Sequence, residues 1–167
     1  AGLFPVAVRR IVLDPGHGGT DDGTRTPVGL TEKALTLDIA QRLAQLLRGA
    51  GFEVTLTRDT DAKLFLRDRV RFANQAHADL FVSIHLNFVP NKPINIIETF
   101  YFGPGTDAAS LELARRENSG QGPGMSELRE IIERMETQMR REESPRLAAA
   151  IQSSLYRNSR RENSGVL

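Results

Sequence analysis

Hydrophobic positions along the chain switch between unbroken runs and a helical period. Ile11, Val12 and Leu13 form an unbroken apolar run within residues 8–13, the pattern of a strand buried on both faces of a parallel or mixed sheet. A loop follows at once: Asp14, Pro15, Gly16, His17, Gly18, Gly19, then Asp21, Asp22 and Gly23. Leu35, Ile39, Leu43, Leu46 and Leu47 recur at helical spacing and predict the buried face of a first helix. Thr31 suits its N-cap, Glu32 its first turn, and Gly49 and Gly51 its end. Residues 52–57 alternate and predict a strand. A second helix is expected over 66–76, carrying Val70 and Ala73, then another buried strand over 79–85 and a fourth strand over 97–102. The order β-α-β-α-β with a further strand places the chain in the α/β class, as an open, mixed but mostly parallel sheet flanked by helices. In such sheets, sites gather at the carboxyl ends of the strands.

The remainder is different in character. A helix is expected over 107–117, ended by Asn118, Ser119 and Gly120, with a breaker over 121–124. Residues 125–143 predict a strongly charged helix whose apolar residues Met125, Leu128, Ile131, Ile132, Met135 and Met139 lie on one stripe. Glu127, Glu130, Glu133 and Glu136 recur every three residues, spiral away from that stripe and are expected to face solvent. Ser144 and Pro145 read as an N-cap followed by proline at the first helical position, opening a last helix to about residue 159. The hexapeptide Arg-Arg-Glu-Asn-Ser-Gly occurs at 115–120 and again at 160–165. No solenoid period accompanies it.

Composition narrows the chemistry. A length of 167 residues predicts a single domain. The chain has no cysteine and three histidines, His17, His77 and His85. Disulfide scaffolds, thiolate metal sites and thiol nucleophiles are thereby excluded, and a metal would have to be held by His, Asp or Glu. With 22 Lys and Arg against 21 Asp and Glu, the near-zero charge argues against general nucleic-acid binding. No apolar run approaches the ~20 residues needed to span a bilayer. No signal peptide is visible, so the residues alone assign no compartment.

His17 falls just past the first strand and His85 at the end of the third, with Glu32 in the first turn of the helix between them. Taken singly, His17 reads as a polar loop residue and His85 as a satisfied strand-end histidine. Taken with the topology, two histidines and one carboxylate converging at one sheet edge are the donor set of a hydrolytic zinc site, which leaves a fourth position for water. Both readings stand on the residues alone. His77, between Ala76 and Ala78, is expected on the surface. The glycine-rich loop does not fit G-x-G-x-x-G, and no Gly-Lys-Ser/Thr follows, so a phosphate cradle is not favoured. Ser83 lacks the Gly-x-Ser-x-Gly context of a nucleophile.

Several ordered motifs carry a family resemblance: residues 13–19 (Leu-Asp-Pro-Gly-His-Gly-Gly), Thr31-Glu32-Lys33, Leu56-Thr57-Arg58, Arg69 with Ala73-Asn74, and residues 78–87 (Ala-Asp-Leu-Phe-Val-Ser-Ile-His-Leu-Asn). Together they resemble the zinc-dependent N-acetylmuramoyl-L-alanine amidases of bacterial cell walls, over about residues 8–102 and more weakly beyond. The resemblance implies zinc held by His17, Glu32 and His85, with Ser83 and Asn87 as nearby supports. It also implies cleavage of the amide between N-acetylmuramic acid and L-alanine in peptidoglycan. Members place a proton-transferring Glu on a late strand. No such strand follows Tyr156, so this glutamate is expected beyond Leu167, and residues 1–167 are expected to be one catalytic domain, incomplete at its C-terminus. A catalytically silent zinc or peptidoglycan-binding module and a zinc peptidase acting on another amide remain as alternatives.

Residues 111–143 resemble the regulatory insertion of the cell-division amidases. That implies an inhibitory zinc ligand, best matched by Glu117, and an activator protein docking on the helical insertion. It also implies a periplasmic or extracellular enzyme that separates daughter cells; the charge balance and the lack of a long apolar run predict no nucleic-acid partner and no transmembrane segment.

Overall fold

The apolar run expected at the start of the chain becomes the central strand. The computed structural model describes residues 8–86, 97–101 and 138–158, the last with backbone only for 138–142. Strand β1 is Arg10–Pro15, and every residue after Arg10 is buried. Helix α1, Glu32–Gly49, leads to strand β2, Glu53–Leu56. Helix α2, Leu66–Gln75, leads to strand β3, Leu80–Ile84. The sheet order is β2-β1-β3 and both pairings are parallel, with Val12 opposite Thr55 on one side and Phe81 on the other. The α/β class and the parallel sheet are therefore as the sequence predicts.

The core lies between α1 and one face of the sheet. Ile11, Leu13, Ala44 and Val54 are buried together, with Leu43, Leu47, Leu56, Leu80 and Val82 packed around them. The expected phase of α1 is corrected here. Its buried residues are Glu32, Thr36, Ala40 and Ala44, while Leu46 is 73% exposed and Ile39 40%. Small side chains let the helix approach the sheet closely, and Leu43 and Leu47 flank that line of contact. Thr31 takes the extended N-cap conformation, yet its side chain makes no capping hydrogen bond. At the other end, Gly51 adopts φ +92°, a left-handed conformation that glycine enters without steric cost.

Strand β3 is also less buried than expected. Its residues alternate between half-buried and exposed, because among the described residues it has only β1 as a neighbour. Its start is fixed by Asp79, whose Oδ2 accepts the backbone N–H groups of Arg9 (3.0 Å) and Arg10 (2.8 Å).

Residues 97–101 and 138–158 belong to a second compact unit, distinct from the one holding residues 8–86. The strand expected over 97–102 is not formed by 97–101, and residue 102 lies outside the described residues. The Ile97 carbonyl accepts from the Gln152 side chain, and Thr99 Oγ1 donates to Gln152 Oε1 at 2.7 Å. These groups are thus engaged by a helix side chain instead of a strand partner. Helix α3 runs unbroken over Gln138–Asn158 with Pro145 inside it, so the expected helix start at Ser144 and Pro145 is corrected. Proline already holds a helical φ, and the disruption is confined to one missing N–H and the crowded carbonyl four residues back. The helix expected over 107–117, most of that expected over 125–143, and both hexapeptide copies lie outside the described residues.

Candidate metal centre

The strand order reverses direction at β1: β2 lies on one side and β3 on the other. The loops leaving the carboxyl ends of β1 and β3 consequently frame a crevice, the usual place for a ligand in an open α/β sheet. His17 and His85 leave those two strand ends, and Glu32 opens α1. The ladder continues one step past β1, with Gly16 N–H donating to the Ile84 carbonyl at 3.0 Å. The chain then turns sharply through three left-handed residues, His17 (φ +59°), Gly18 (+132°) and Gly19 (+59°). A non-glycine residue there costs roughly 1–2 kcal/mol, so His17 needs external support.

Two buried arginines provide it. Arg69 of α2 donates to Asp14 Oδ1 (2.7 Å), the Pro15 carbonyl (2.7 Å) and the His17 carbonyl (2.8 Å). Arg58, just past β2, donates to the carbonyls of Pro15 (3.0 Å), Gly16 (2.7 Å) and Lys33 (2.8 Å). Thr36 Oγ1 donates to the Gly16 carbonyl as well, at 3.0 Å. Asp14 is 3% exposed and Arg69 5%. Asp14 also accepts from Thr57 Oγ1 (2.6 Å) and Ser83 Oγ (2.8 Å). Burial, followed by the nearby Arg69 charge, lowers the pKa of Arg58. Three consecutive carbonyls ahead of and at His17 are thus clamped by rigid guanidinium forks.

The three expected ligands meet. His17 Nε2 lies 3.2 Å from Glu32 Oε1, and His85 Nδ1 lies 3.2 Å from the same oxygen. One donor atom from each of the three lies within 4.8 Å of the others. The histidine rings meet edge to face, with centroids 5.0 Å apart. Glu32 is 3% exposed, and its oxygens accept the N–H groups of Thr24 (2.9 Å) and Leu86 (2.7 Å). Burial works against its charge. The bonds with His17, His85, Thr24 and Leu86 outweigh that and hold its pKa well below the usual carboxylate range. For His17, burial likewise opposes the charged form, but the carboxylates of Glu32 and Asp21 prevail and raise its pKa. A proton on this ring is one that a bound metal would displace.

Two glycines make room for these side chains. A Cβ on Gly16 would stand 2.5 Å from His85 Cε1, and one on Gly23 would stand 2.5 Å from His17 Cδ2 and 2.8 Å from Glu32 Oε2. Two imidazole nitrogens and one carboxylate oxygen are the protein donor set of a catalytic zinc site, so the residues fit such an ion.

Other sequence expectations fall elsewhere. Ser83 reaches the centre only through Asp14. His77 is exposed at the end of α2. Asn87 and Glu117 lie outside the described residues. A depression of about 230 Å³ lined by Lys33, Ala34, Leu37, Asp38, Gln41 and Asp61 shares no residue with the three ligands. Sequence reasoning gave Asp14, Arg58 and Arg69 no role. Asp14 had a positional signal, at the end of a buried strand, and Arg58 stood just past another, whereas Arg69 sat among the charged residues of 67–71 in the expected helix with nothing to mark it.

Comparison with known proteins agrees with this geometry. The sequence profile of the N-acetylmuramoyl-L-alanine amidases matches residues 11–167. The germination-specific N-acetylmuramoyl-L-alanine amidase of Bacillus subtilis (strain 168) is 37% identical over 116 residues, covering 60% of this chain and 48% of the relative. The structure resembles N-acetylmuramoyl-L-alanine amidase AmiC2 of Nostoc punctiforme with a TM-score of 0.55 at 41% identity, over 65% of this chain and 59% of that one. It also resembles the CwlD amidase from Clostridioides difficile, solved in complex with the GerS lipoprotein. There the TM-score is 0.53 at 32% identity, over 56% of this chain and 55% of that one. The chain spans about half the length of the Bacillus relative. With the profile matched along nearly all of its length and the donor residues assembled at the sheet's switch point, the chain belongs to the N-acetylmuramoyl-L-alanine amidase family.

Proposed function

We propose that this chain is the metal-binding part of a zinc hydrolase that cleaves the amide between N-acetylmuramic acid and L-alanine in peptidoglycan. The observation that carries the reading is the convergence of His17, Glu32 and His85 in a member of the amidase family. A zinc ion held there supplies Lewis acidity, acidifying water and polarising a scissile carbonyl. His17 and His85 each offer one imidazole nitrogen, and Glu32 offers Oε1. Glu32 suits a ligand better than a proton carrier, since a carboxylate held far below its ordinary pKa is a weak base and both its oxygens already accept backbone N–H groups.

The test is metal content followed by turnover. His17→Ala, Glu32→Ala and His85→Ala should each lose bound zinc by elemental analysis, and full metal content in all three overturns the site. On purified muropeptides, mass spectrometry should show release of peptides beginning with L-alanine. Zinc binding without any turnover selects a silent binding module, and cleavage at a different amide selects a zinc peptidase.

The proposal extends to regulation and place. Residues 111–143 are read as an inhibitory insertion, with Glu117 as the carboxylate that takes the open metal position. The stripe of 125–143 is read as the docking surface for an activator protein. The setting is the periplasm or the extracellular space, during daughter-cell separation. This part rests on the sequence resemblance. In the intact enzyme, Glu117→Ala should raise activity in the absence of activator, and unchanged or lower basal activity overturns the inhibitory role.

A further inference from the structure

We infer that Asp21 is a positioning residue of the metal centre: its carboxylate accepts from Nδ1 of His17 and so turns the Nε2 lone pair of that ring toward Glu32 and His85. The inference rests on reading the three residues as a zinc site.

The two nitrogens of His17 face different partners. Nδ1 lies 3.1 Å from Asp21 Oδ1, whereas Nε2 lies 3.2 Å from Glu32 Oε1. A neutral imidazole has one donor and one acceptor nitrogen. Carboxylates flank both nitrogens; with an ion on the Nε2 side, Asp21 would take the one remaining hydrogen, at Nδ1, and leave the Nε2 lone pair to the ion. Histidine ligands of metals commonly bond a carboxylate or carbonyl through the second ring nitrogen, which sets the tautomer and raises ligand basicity.

Asp21 is not itself one of the converging donors. Among the described residues, the group able to hold an ion is His17, Glu32 and His85, and Asp21 sits on the opposite side of the His17 ring. Its carboxylate is also held in place. Gly18 and Asp21 exchange both backbone hydrogen bonds, at 2.9 and 3.1 Å, and Asp21 Oδ1 accepts the Gly23 N–H at 3.2 Å. The left-handed turn at Gly18 and Gly19 brings the chain back so that the fourth residue after His17 meets its ring. The adjacent Asp22 is committed to other work, with its oxygens on Arg25 (2.5 Å) and Lys33 (3.0 Å). Among the described residues, no arginine or lysine pairs with Asp21, and its side-chain partner is the His17 ring. The Asp21 side chain is 35% exposed and that of His17 12%, so replacing Asp21 removes little buried volume and acts chiefly by taking the acceptor from Nδ1.

The experiment compares the wild type, Asp21→Ala and Asp21→Asn. Zinc affinity is read by competition with a chromophoric chelator. The His17 tautomer is read from long-range imidazole ¹H–¹⁵N spectra of the zinc-loaded proteins. Asp21→Ala should bind zinc roughly 10- to 100-fold more weakly and lose the hydrogen-bonded Nδ1–H signal. Asp21→Asn, which keeps a neutral acceptor, should fall between the two. Wild-type affinity together with an unchanged His17 pattern in Asp21→Ala overturns the inference and leaves the zinc reading standing. A change of coordination number in the cobalt(II) spectrum of Asp21→Ala makes Asp21 a ligand and also overturns it. A wild type that takes up no zinc overturns the metal reading, and this inference with it.

Discussion

Replacing Arg69 tests how strongly the support beneath His17 matters. Arg69→Met keeps most of the side-chain volume but removes the guanidinium that joins Asp14, the Pro15 carbonyl and the His17 carbonyl. Asp14, 3% exposed, is left with two hydroxyl donors and no cation on its carboxylate. Deleting one partner of a buried ion pair costs about 3–5 kcal/mol, well above the ~0.5–1.5 kcal/mol of an ordinary hydrogen bond. One effect works the other way, because losing Arg69 relieves its repulsion of Arg58. The expected loss therefore lies toward the lower end, about 3 kcal/mol. Urea unfolding at equilibrium measures it, and a Tm drop of roughly 6–12 °C should accompany it for a domain of this size. Asp14→Asn combined with Arg69→Met strands no charge and should lose less than the two single variants together. A loss under about 1.5 kcal/mol for Arg69→Met, or full additivity in the double variant, would refute the account of a buried, mutually dependent pair.

The remaining predictions concern room, helix propensity and pH. Gly16→Ala places a Cβ against the His85 ring and should weaken zinc binding roughly 10-fold or more, measured by chelator competition. Gly49→Ala in α1 meets nothing within 4 Å and should raise stability by up to about 1 kcal/mol in urea unfolding. Asp79 has its pKa lowered by the N–H groups of Arg10 and Arg9, followed by the Arg10 guanidinium. A depressed folded pKa contributes stability that is complete above the ordinary value of 3.8 and is lost as pH falls through the folded value. Asp79→Asn should accordingly flatten the fall in stability on acidification below that value, and an unchanged slope counts against the role given to Asp79.

What was legible in the sequence depended on whether the signal was local. Ile11, Val12 and Leu13 announced a strand because both faces of β1 are covered. Glu32 announced a helix start because carboxylates favour the first turn. The phase of α1 was misread in part: Leu43 and Leu47 do pack against the core, but large leucines dominate a pattern count, and the fully buried line is Thr36, Ala40 and Ala44 while Ile39 and Leu46 are exposed. The strand expected over 97–102 is not formed by 97–101 for a related reason, since a stretch rich in β-branched and aromatic residues says nothing of the partner that its backbone finds. Pro145 was read as a helix start, although its fixed φ also fits inside one. At the metal centre, the three ligands could be named from the order of strand ends together with the family resemblance. Arg58 and Arg69 could be noticed but not interpreted. Their burial makes sense only once the left-handed turn at His17 has exposed a row of carbonyls, and that row exists only in the folded chain.

The spacing of the ligands has a mechanical consequence. Glu32 and His85 lie 53 positions apart, one at the start of a helix and the other beyond the third strand of the sheet. An ion shared between them would act as a reversible cross-link in a chain with no cysteine, closing a long loop that nothing covalent closes. Its affinity for the folded chain would add directly to resistance against unfolding. Withdrawing the ion would release the end of β3 first, because that strand rests on a single neighbour among the described residues. Backbone amides along β3 would then exchange with solvent earlier than those of β1, so the same three side chains that prepare the chemistry would also set the order in which the sheet comes apart.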